Sequence, residues 1–237
     1  MSEQGFLYEI FDSIQGEGLY CGQRQTFLRF AGCNLECGYC DTPAARDPHP
    51  KSCLVAGSEP VCNPLDVEQV VEYCRKYGCK SVSLTGGEPL VQVQFLHALM
   101  VKLKEAGFRN HLETNGTLYR DLANVIRWTD VVAMDMKLPS STGSEIRWME
   151  HSQFLTIASS TNVFVKTVVC KDTTEDEILQ CCDIIAPIDR HISLIIQPIT
   201  GRNAAPGELL MHLQKVAMAR LTDVRVIPQC HNILGLK

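Results

Sequence analysis

From residue 64 onward, short apolar runs alternate with longer segments of helical spacing, and this alternation restricts the fold more than any other feature. "PLDVEQVVEYCRKYG" has the apolar period of a helix, with Gly78 as its expected C-terminal stop. "KSVSLTGGEPL" then reads as a strand, "VQFLHALMVKLKEAG" as a helix, "RNHLETNG" as a strand and "YRDLANVIRW" as a helix. "DVVAMDMKLP" and "NVFVKTVV" are strands separated by a helix around "SEIRWMEHSQFL". A helix over "EDEILQCCDIIAP", a strand over "HISLIIQPIT", a helix over "PGELLMHLQKVAMARL" and a strand over "DVRVIPQ" complete the series. Upstream, "QTFLRFAG" carries the β-favouring residues of one more strand. Such alternation predicts right-handed crossovers and a parallel sheet buried on both faces. No linker separates two cores, so residues 1–237 are expected to form one α/β domain. Residues 43–63, rich in Pro, Gly and Ser without periodicity, are expected to be an irregular insertion.

The polar and glycine-rich punctuation consistently follows the strands. It falls at "TGGEP" (85–89), "ETNG" (113–116), "MDMK" (134–137), "QPIT" (197–200) and "PQCH" (228–231), and a cysteine-rich loop follows "QTFLRFAG". In parallel α/β folds ligands bind at the carboxyl ends of the strands, so all of these segments should face one site. A formal charge of −5 argues against a broad nucleic-acid surface. No run of about 18 apolar residues marks a membrane span, and "MSEQGFLYEI" lacks an export signal, so a cytoplasmic protein is expected. The twelve cysteines are scattered, which does not suit a disulfide scaffold. Cys74, Cys170, Cys181 and Cys182 read as small buried hydrophobes; Cys21, Cys53 and Cys62 have no assigned role.

"AGCNLECGYCDTP" places Cys33, Cys37 and Cys40 within eight residues. A structural zinc site pairs two knuckles, or one knuckle with two histidines, and the spacing of Cys53 and Cys62 supplies no usual second knuckle. Three thiolates suit an iron–sulfur cubane whose fourth iron is left for a small ligand. The Cys-x-x-x-Cys-x-x-Cys loop resembles that of the radical S-adenosylmethionine superfamily. The resemblance implies a 4Fe-4S cluster on Cys33, Cys37 and Cys40, with S-adenosylmethionine chelating the open iron. Reductive cleavage of that cofactor gives a 5′-deoxyadenosyl radical. By the same resemblance Tyr39, Cys40 and Asp41, then Gly86, Gly87 and Glu88 of "TGGEP", contact the cofactor. So do Asp135, Met136 and Lys137 of "MDMK" and Gln197, Pro198, Ile199 and Thr200 of "QPIT". An ordinary salt-bridged strand end is the competing reading of Asp135 and Lys137.

"FDSIQGEG", the arginine in "TFLRFAGCNLECGYCDT" and the terminal "VRVIPQCHNILG" together resemble the 7-carboxy-7-deazaguanine synthase family over residues 6–236. That family converts 6-carboxy-5,6,7,8-tetrahydropterin to 7-carboxy-7-deazaguanine, losing ammonia after hydrogen abstraction and ring contraction. The resemblance implies a partial, laterally open relative of the (β/α)8 barrel. It implies pterin contacts by Ile14, Gln15 and Gly16 through the backbone, by Glu17, by the Arg29 fork on a carboxylate, and by Thr85 and His231. Thr42 becomes a magnesium ligand, with a turn role before Pro43 as the alternative. No side chain is assigned as acid or base. Flavodoxin or ferredoxin as electron donor and a homodimer are also implied. The competing functions are a glycyl-radical-enzyme activase, which shares the cysteine spacing, and a non-catalytic metal-binding module.

Overall fold

The computed structural model describes residues 4–143, 145 and 147–236. Strands Gln4–Gly5 (β1), Leu7–Ile14 (β2) and Arg24–Phe30 (β3) come first, followed by Ser52–Val55 (β4), Val61–Cys62 (β5) and Leu65–Asp66 (β6). The alternating part follows as Val67–Tyr77 (α1), Ser81–Gly86 (β7), Val93–Glu105 (α2), Arg109–Thr114 (β8), Tyr119–Val125 (α3) and Val131–Asp135 (β9). It continues through Pro139–Thr142 (α4), Trp148–Ala158 (α5), Asn162–Val169 (β10), Glu175–Asp189 (α6), Leu194–Pro198 (β11), Gly207–Met218 (α7), Val224–Val226 (β12) and Cys230–Leu234 (α8). Each expected strand and helix of this part is present. Ser144 and Ile146 of the segment expected to lead into α5 lie outside the described residues, as do Met1–Glu3 of the opening stretch.

The sequence-local reasons are visible at the helix ends. Asp66 caps α1 in a reciprocal capping box with Gln69, and Gly78 ends it in the left-handed region at φ 69°. Thr174 and Glu177 form the same box at the start of α6.

One ten-stranded sheet runs in the order β12-β11-β10-β9-β8-β7-β3-β2-β4-β5. Strands β3 and β7 to β12 are parallel to their neighbours in that series. The ends, β12 and β5, do not meet, so the sheet is an open partial barrel. Two departures from expectation stand out. First, β2 runs antiparallel to β3, pairing Ile14 with Arg24 and Leu7 with Phe30. The end of β2 is therefore delivered to the opposite end of β3 from the cysteine loop. Second, residues 43–63 are not irregular throughout. β4 pairs with β2 and folds back on β5, extending the sheet. The alternation is only four residues long, with Cys53 and Val55 buried between exposed neighbours, too short to register as a strand against its Pro- and Gly-rich flanks.

The two faces of the sheet differ. Val165 and Val169 of β10, with Val132, Met134 and Ile196, join α-helical residues such as Phe154, Leu155, Ile178 and Ile185 in the main core. The alternate residues Phe164, Lys166 and Val168 of β10, with Cys170 just beyond its end, face the hollow on the other side. Here a second apolar cluster of Val131, Ala133, Phe164 and Ile195 takes up Leu19, Tyr20 and Ile227. That cluster is the floor of the half-barrel. Cys74, Cys170, Cys181 and Cys182 are buried as expected. Cys53 and Cys62 sit one register step apart on β4 and β5, so they face opposite sides of the hairpin.

Candidate active site

A cleft of about 830 Å³ occupies the hollow face of the sheet. At its rim the cysteine loop leaves β3 and is fastened to neighbouring strand ends. Gly87 N–H donates to Phe30 O at 3.0 Å and Glu88 N–H to Gly32 O at 2.9 Å. A Cβ on Gly87 would stand 2.0 Å from Gly32 O, and one on Gly86 would stand 2.4 Å from Phe30 N. The two glycines are thus required by backbone packed on backbone, before any ligand is considered. Arg46, in the turn after the loop, donates to Cys37 O at 2.7 Å, and Gly38 N–H donates to Thr142 O at 3.0 Å.

Cys33, Cys37 and Cys40 all line the cleft. Burial pushes the Cys33 and Cys37 thiols above the usual range, so a bound metal must supply the positive charge that makes them thiolates. A tetrahedral zinc would draw its sulfurs to about 3.8 Å of one another. Among the described residues the trio whose ligand atoms fall within 4.8 Å is Glu17, Asp41 and His231, not the three cysteines. Three thiols on one loop suit a cluster that takes each thiolate on a different iron.

Beside the thiols, Lys137 Nζ donates to Tyr39 OH at 2.9 Å and to Asp135 Oδ2 at 2.8 Å. Burial alone would lower the Lys137 pKa, but Asp135 and Tyr39 hold it well above the ordinary lysine value. Asp135 Oδ1 and Gln197 Oε1 are buried acceptors with no hydrogen-bond partner in the protein, and both residues line the cleft. Two unpaired acceptors in one wall call for a ligand with hydroxyl or amine donors. Ile199 and Thr200 share this wall.

Three residues read as cofactor contacts are placed differently. The Glu88 side chain is fully buried and accepts from Leu90 N–H at 3.1 Å, Thr114 Oγ1 at 2.9 Å and Asn115 N–H at 2.7 Å. It locks the end of β7 to the end of β8 and does not line the cleft. Met136 belongs to the main core. Pro198 ends β11 off the cleft wall, since the strand period turns Gln197 and Ile199 inward.

The floor is made by the loop after β2 and by the C-terminal segment. Glu17 forms an ion pair with Lys166 and accepts from Gln229 Nε2 at 2.9 Å. Burial would raise the Glu17 carboxyl, but the Lys166 ammonium and the Gln229 amide outweigh it and hold it at about 2. Gln15 Nε2 donates to Glu113 Oε1 at 2.8 Å, while Gln15 Oε1 accepts from Glu17 N–H at 3.1 Å. The Gln15 backbone pairs with Gln23 and Gly22, and Gly16 O accepts from Cys230 N–H at 2.9 Å. The Gln15 backbone and the Gly16 carbonyl thus already have protein partners, and Gln15, Gly16 and Glu17 all line the cleft. A Cβ on Gly16 would meet His231 Nδ1 at 2.4 Å, so this glycine seats His231 on the floor.

Ile14 and Arg29 also line the cleft, and Arg29 Nε donates to Glu9 Oε1 at 2.8 Å. Thr85 Oγ1 donates to Glu113 Oε2 at 3.1 Å. Thr42 Oγ1 donates to Asp41 Oδ1 at 3.0 Å and makes no cap to the turn that follows it. Cys21 is an exposed free thiol, and the free Cys230 thiol donates to Pro228 O at 3.5 Å.

Sequence reasoning missed Glu113 and Lys166. Glu113 stood inside quoted punctuation but received no role. Lys166 is the one charged residue in "NVFVKTVV", a signal that apolar strand patterning obscured.

The radical SAM superfamily model matches residues 28–196. A 7-carboxy-7-deazaguanine synthase of Geobacter sulfurreducens is 38% identical over 251 residues, covering 99% of both chains. One of Archaeoglobus fulgidus is 35% identical over 237 residues, covering 98% of both. The chain belongs to the 7-carboxy-7-deazaguanine synthase family of the radical SAM superfamily. The fold agrees: the crystal structure of QueE from Escherichia coli superposes with a TM-score of 0.71 at 24% identity, covering 96% of this chain and 95% of that one.

Membership in this radical SAM family brings a 4Fe-4S cluster and S-adenosylmethionine, and the site fits both. Three thiols line the rim, and the unpaired Asp135 and Gln197 acceptors stand in the wall beside them. Among the described residues no helix is long and apolar enough to cross a membrane.

Proposed function

We infer that this chain converts 6-carboxy-5,6,7,8-tetrahydropterin to 7-carboxy-7-deazaguanine with loss of ammonia. The observation that carries the reading is the meeting of rim and floor in one cleft. Asp41 of the cysteine loop, Glu17 of the β2 loop and His231 of the C-terminal segment bring their ligand atoms within 4.8 Å of one another. A substrate held on that floor therefore lies against the cluster loop. The named relatives match over nearly their whole length, which favours this reading over a glycyl-radical activase or a non-catalytic metal module.

When bound on the rim formed by Cys33, Cys37 and Cys40, the cluster and S-adenosylmethionine would supply radical hydrogen-abstraction chemistry. The chain's own residues do the rest by placement. Asp135 and Gln197 accept from the cofactor's hydroxyl and amine donors, and Tyr39 with Lys137 backs the thiol loop. Glu17, ionised by Lys166, and Gln15, oriented by Glu113, face the amide and amino edge of the pterin. Arg29 and His231 line the cleft at positions from which a substrate carboxylate can be met.

Magnesium belongs with Thr42, whose hydroxyl sits against Asp41 rather than in a cap. A cation on the neighbouring trio instead would face the Lys166 ammonium at Glu17, which disfavours it. In this reading a flavodoxin or ferredoxin delivers the electron and the enzyme works as a cytoplasmic homodimer. The test is anaerobic reconstitution with iron and sulfide counting, followed by product mass with the carboxytetrahydropterin and reductant. Product of the deazapurine mass is expected; a loaded protein that cleaves S-adenosylmethionine but leaves the pterin untouched would overturn the assignment.

A further inference from the structure

An alternating row of charges crosses the hollow from the cysteine loop to the floor. It runs from Tyr39 to Lys137, from Lys137 to Asp135 Oδ2 at 2.8 Å, from Asp135 to Lys166 Nζ at 3.4 Å, and from Lys166 to Glu17. Lys166 links its two carboxylates, Asp135 and Glu17. The residue lies inside β10 with a strand on either side, opposite Asp135 of β9 and Ile195 of β11. Its carbonyl accepts from Met136 N–H at 2.7 Å. Backbone held on both flanks gives the ammonium a fixed origin.

Glu17 has the opposite situation. It belongs to a loop, at the N-terminal flank of a single turn, and its own backbone N–H donates to a side chain, Gln15. The carboxylate is set by what it pairs with, which is Lys166 and Gln229. We propose that Lys166 is a positioning residue for substrate selection, fixing the Glu17 carboxylate as an acceptor for two adjacent N–H donors of the bound heterocycle.

The inference deepens the pterin reading and rests on it. A pterin presents its N3–H and 2-amino donors side by side, which matches a carboxylate. The 2-oxo counterpart replaces one donor by an acceptor, which a fixed carboxylate repels. A Glu17 freed from Lys166 can rotate or take up a proton, and then no longer separates the two. Asp135 keeps Lys137 as a partner, so the cofactor side of the row does not depend on Lys166 alone.

The experiment measures dissociation constants of 6-carboxypterin and its 2-oxo counterpart, both stable to oxidation, for cluster-loaded protein with S-adenosylmethionine present. Wild type is expected to prefer the pterin by on the order of a hundredfold, the range of a buried charged hydrogen bond. Lys166→Met should bring the ratio to within a few-fold of unity, and Lys166→Arg should restore most of it. Retention of the wild-type ratio by Lys166→Met overturns the proposal. A second measurement covers a Lys166→Met protein that does not fold. Because Glu17→Gln removes the carboxylate's charge, adding Lys166→Met to it should change the ratio no further; a further loss of selectivity would show Lys166 acting independently of Glu17 and overturn the proposal. Wild-type protein that binds neither compound overturns the pterin reading and this inference together. Pterin binding without selectivity overturns this inference alone.

Discussion

Glu88 is a carboxyl group enclosed on all sides, and its titration follows from that. Burial raises it to about 7 against three hydrogen bonds that pull the other way. The folded chain therefore holds this proton more tightly than the unfolded chain. Its contribution to stability is full below the ordinary value of 4.5 and fades as pH rises to about 7, by at most about 3 kcal/mol. Denaturant unfolding of wild type and Glu88→Gln at pH 5 and pH 8 should show the variant gaining relative to wild type at the higher pH. A difference that does not change with pH would contradict this placement. Thr42 supports a prediction about ligands instead. Thr42→Ala should raise the magnesium concentration needed for half-maximal turnover by about tenfold or more while cluster content stays unchanged, since a lost hard-oxygen ligand affects the ion and not the thiols. At this scale the sequence was most legible where chemistry is carried by residue type, as in the three cysteines. It was least legible where direction matters. Glu88 looked like a cofactor contact and points away from the cleft, whereas Lys166 looked like strand filler and points into it.

Elements carry the next level of control, and their ends are where single residues act on whole segments. Thr174 and Glu177 satisfy the first turn of α6, which covers the outer face of the sheet. Thr174→Ala should lower unfolding free energy by about 1 kcal/mol and leave S-adenosylmethionine cleavage unchanged, because Glu177, which accepts from the cleft-lining Ser140 N–H at 2.8 Å, is retained. His151 of α5 joins two strand ends on the cleft side. Its ring nitrogens bond Gly116 O at 3.0 Å and accept from Lys137 N–H at 3.2 Å. Burial lowers its pKa to about 4, so the neutral ring is the native form. This contribution is present above pH 6.5 and is lost as pH falls through about 4, the reverse of Glu88. NMR of the His151 ring should show it neutral at pH 5.5, where an exposed histidine is mostly charged. The helices and parallel strands were legible because their periods run for many residues. The β4 and β5 hairpin was not, because two short strands beside Pro and Gly leave almost no period to read. The antiparallel course of β2 was equally hidden, since direction is set by pairing with β3 rather than by any residue in β2.

The whole molecule is an arc of sheet with helices outside and the cleft inside, and its two open edges leave the hollow approachable from the side. The cysteine loop and the wall that carries Asp135 and Gln197 come from the continuous middle of the chain, between residues 28 and 200. The floor does not: it joins Gly16 to Cys230 by a 2.9 Å hydrogen bond and Glu17 to Gln229 across 212 positions of sequence. A protein ending at Pro228 should still assemble its cluster and bind S-adenosylmethionine, yet lose carboxypterin binding; equal pterin affinity in the shortened protein would contradict the floor described above. The cofactor wall is thus local in sequence, whereas the floor exists only where residues 15–17 meet residues 229–231. One half of the site can therefore be disabled by a distant change that leaves the other half intact.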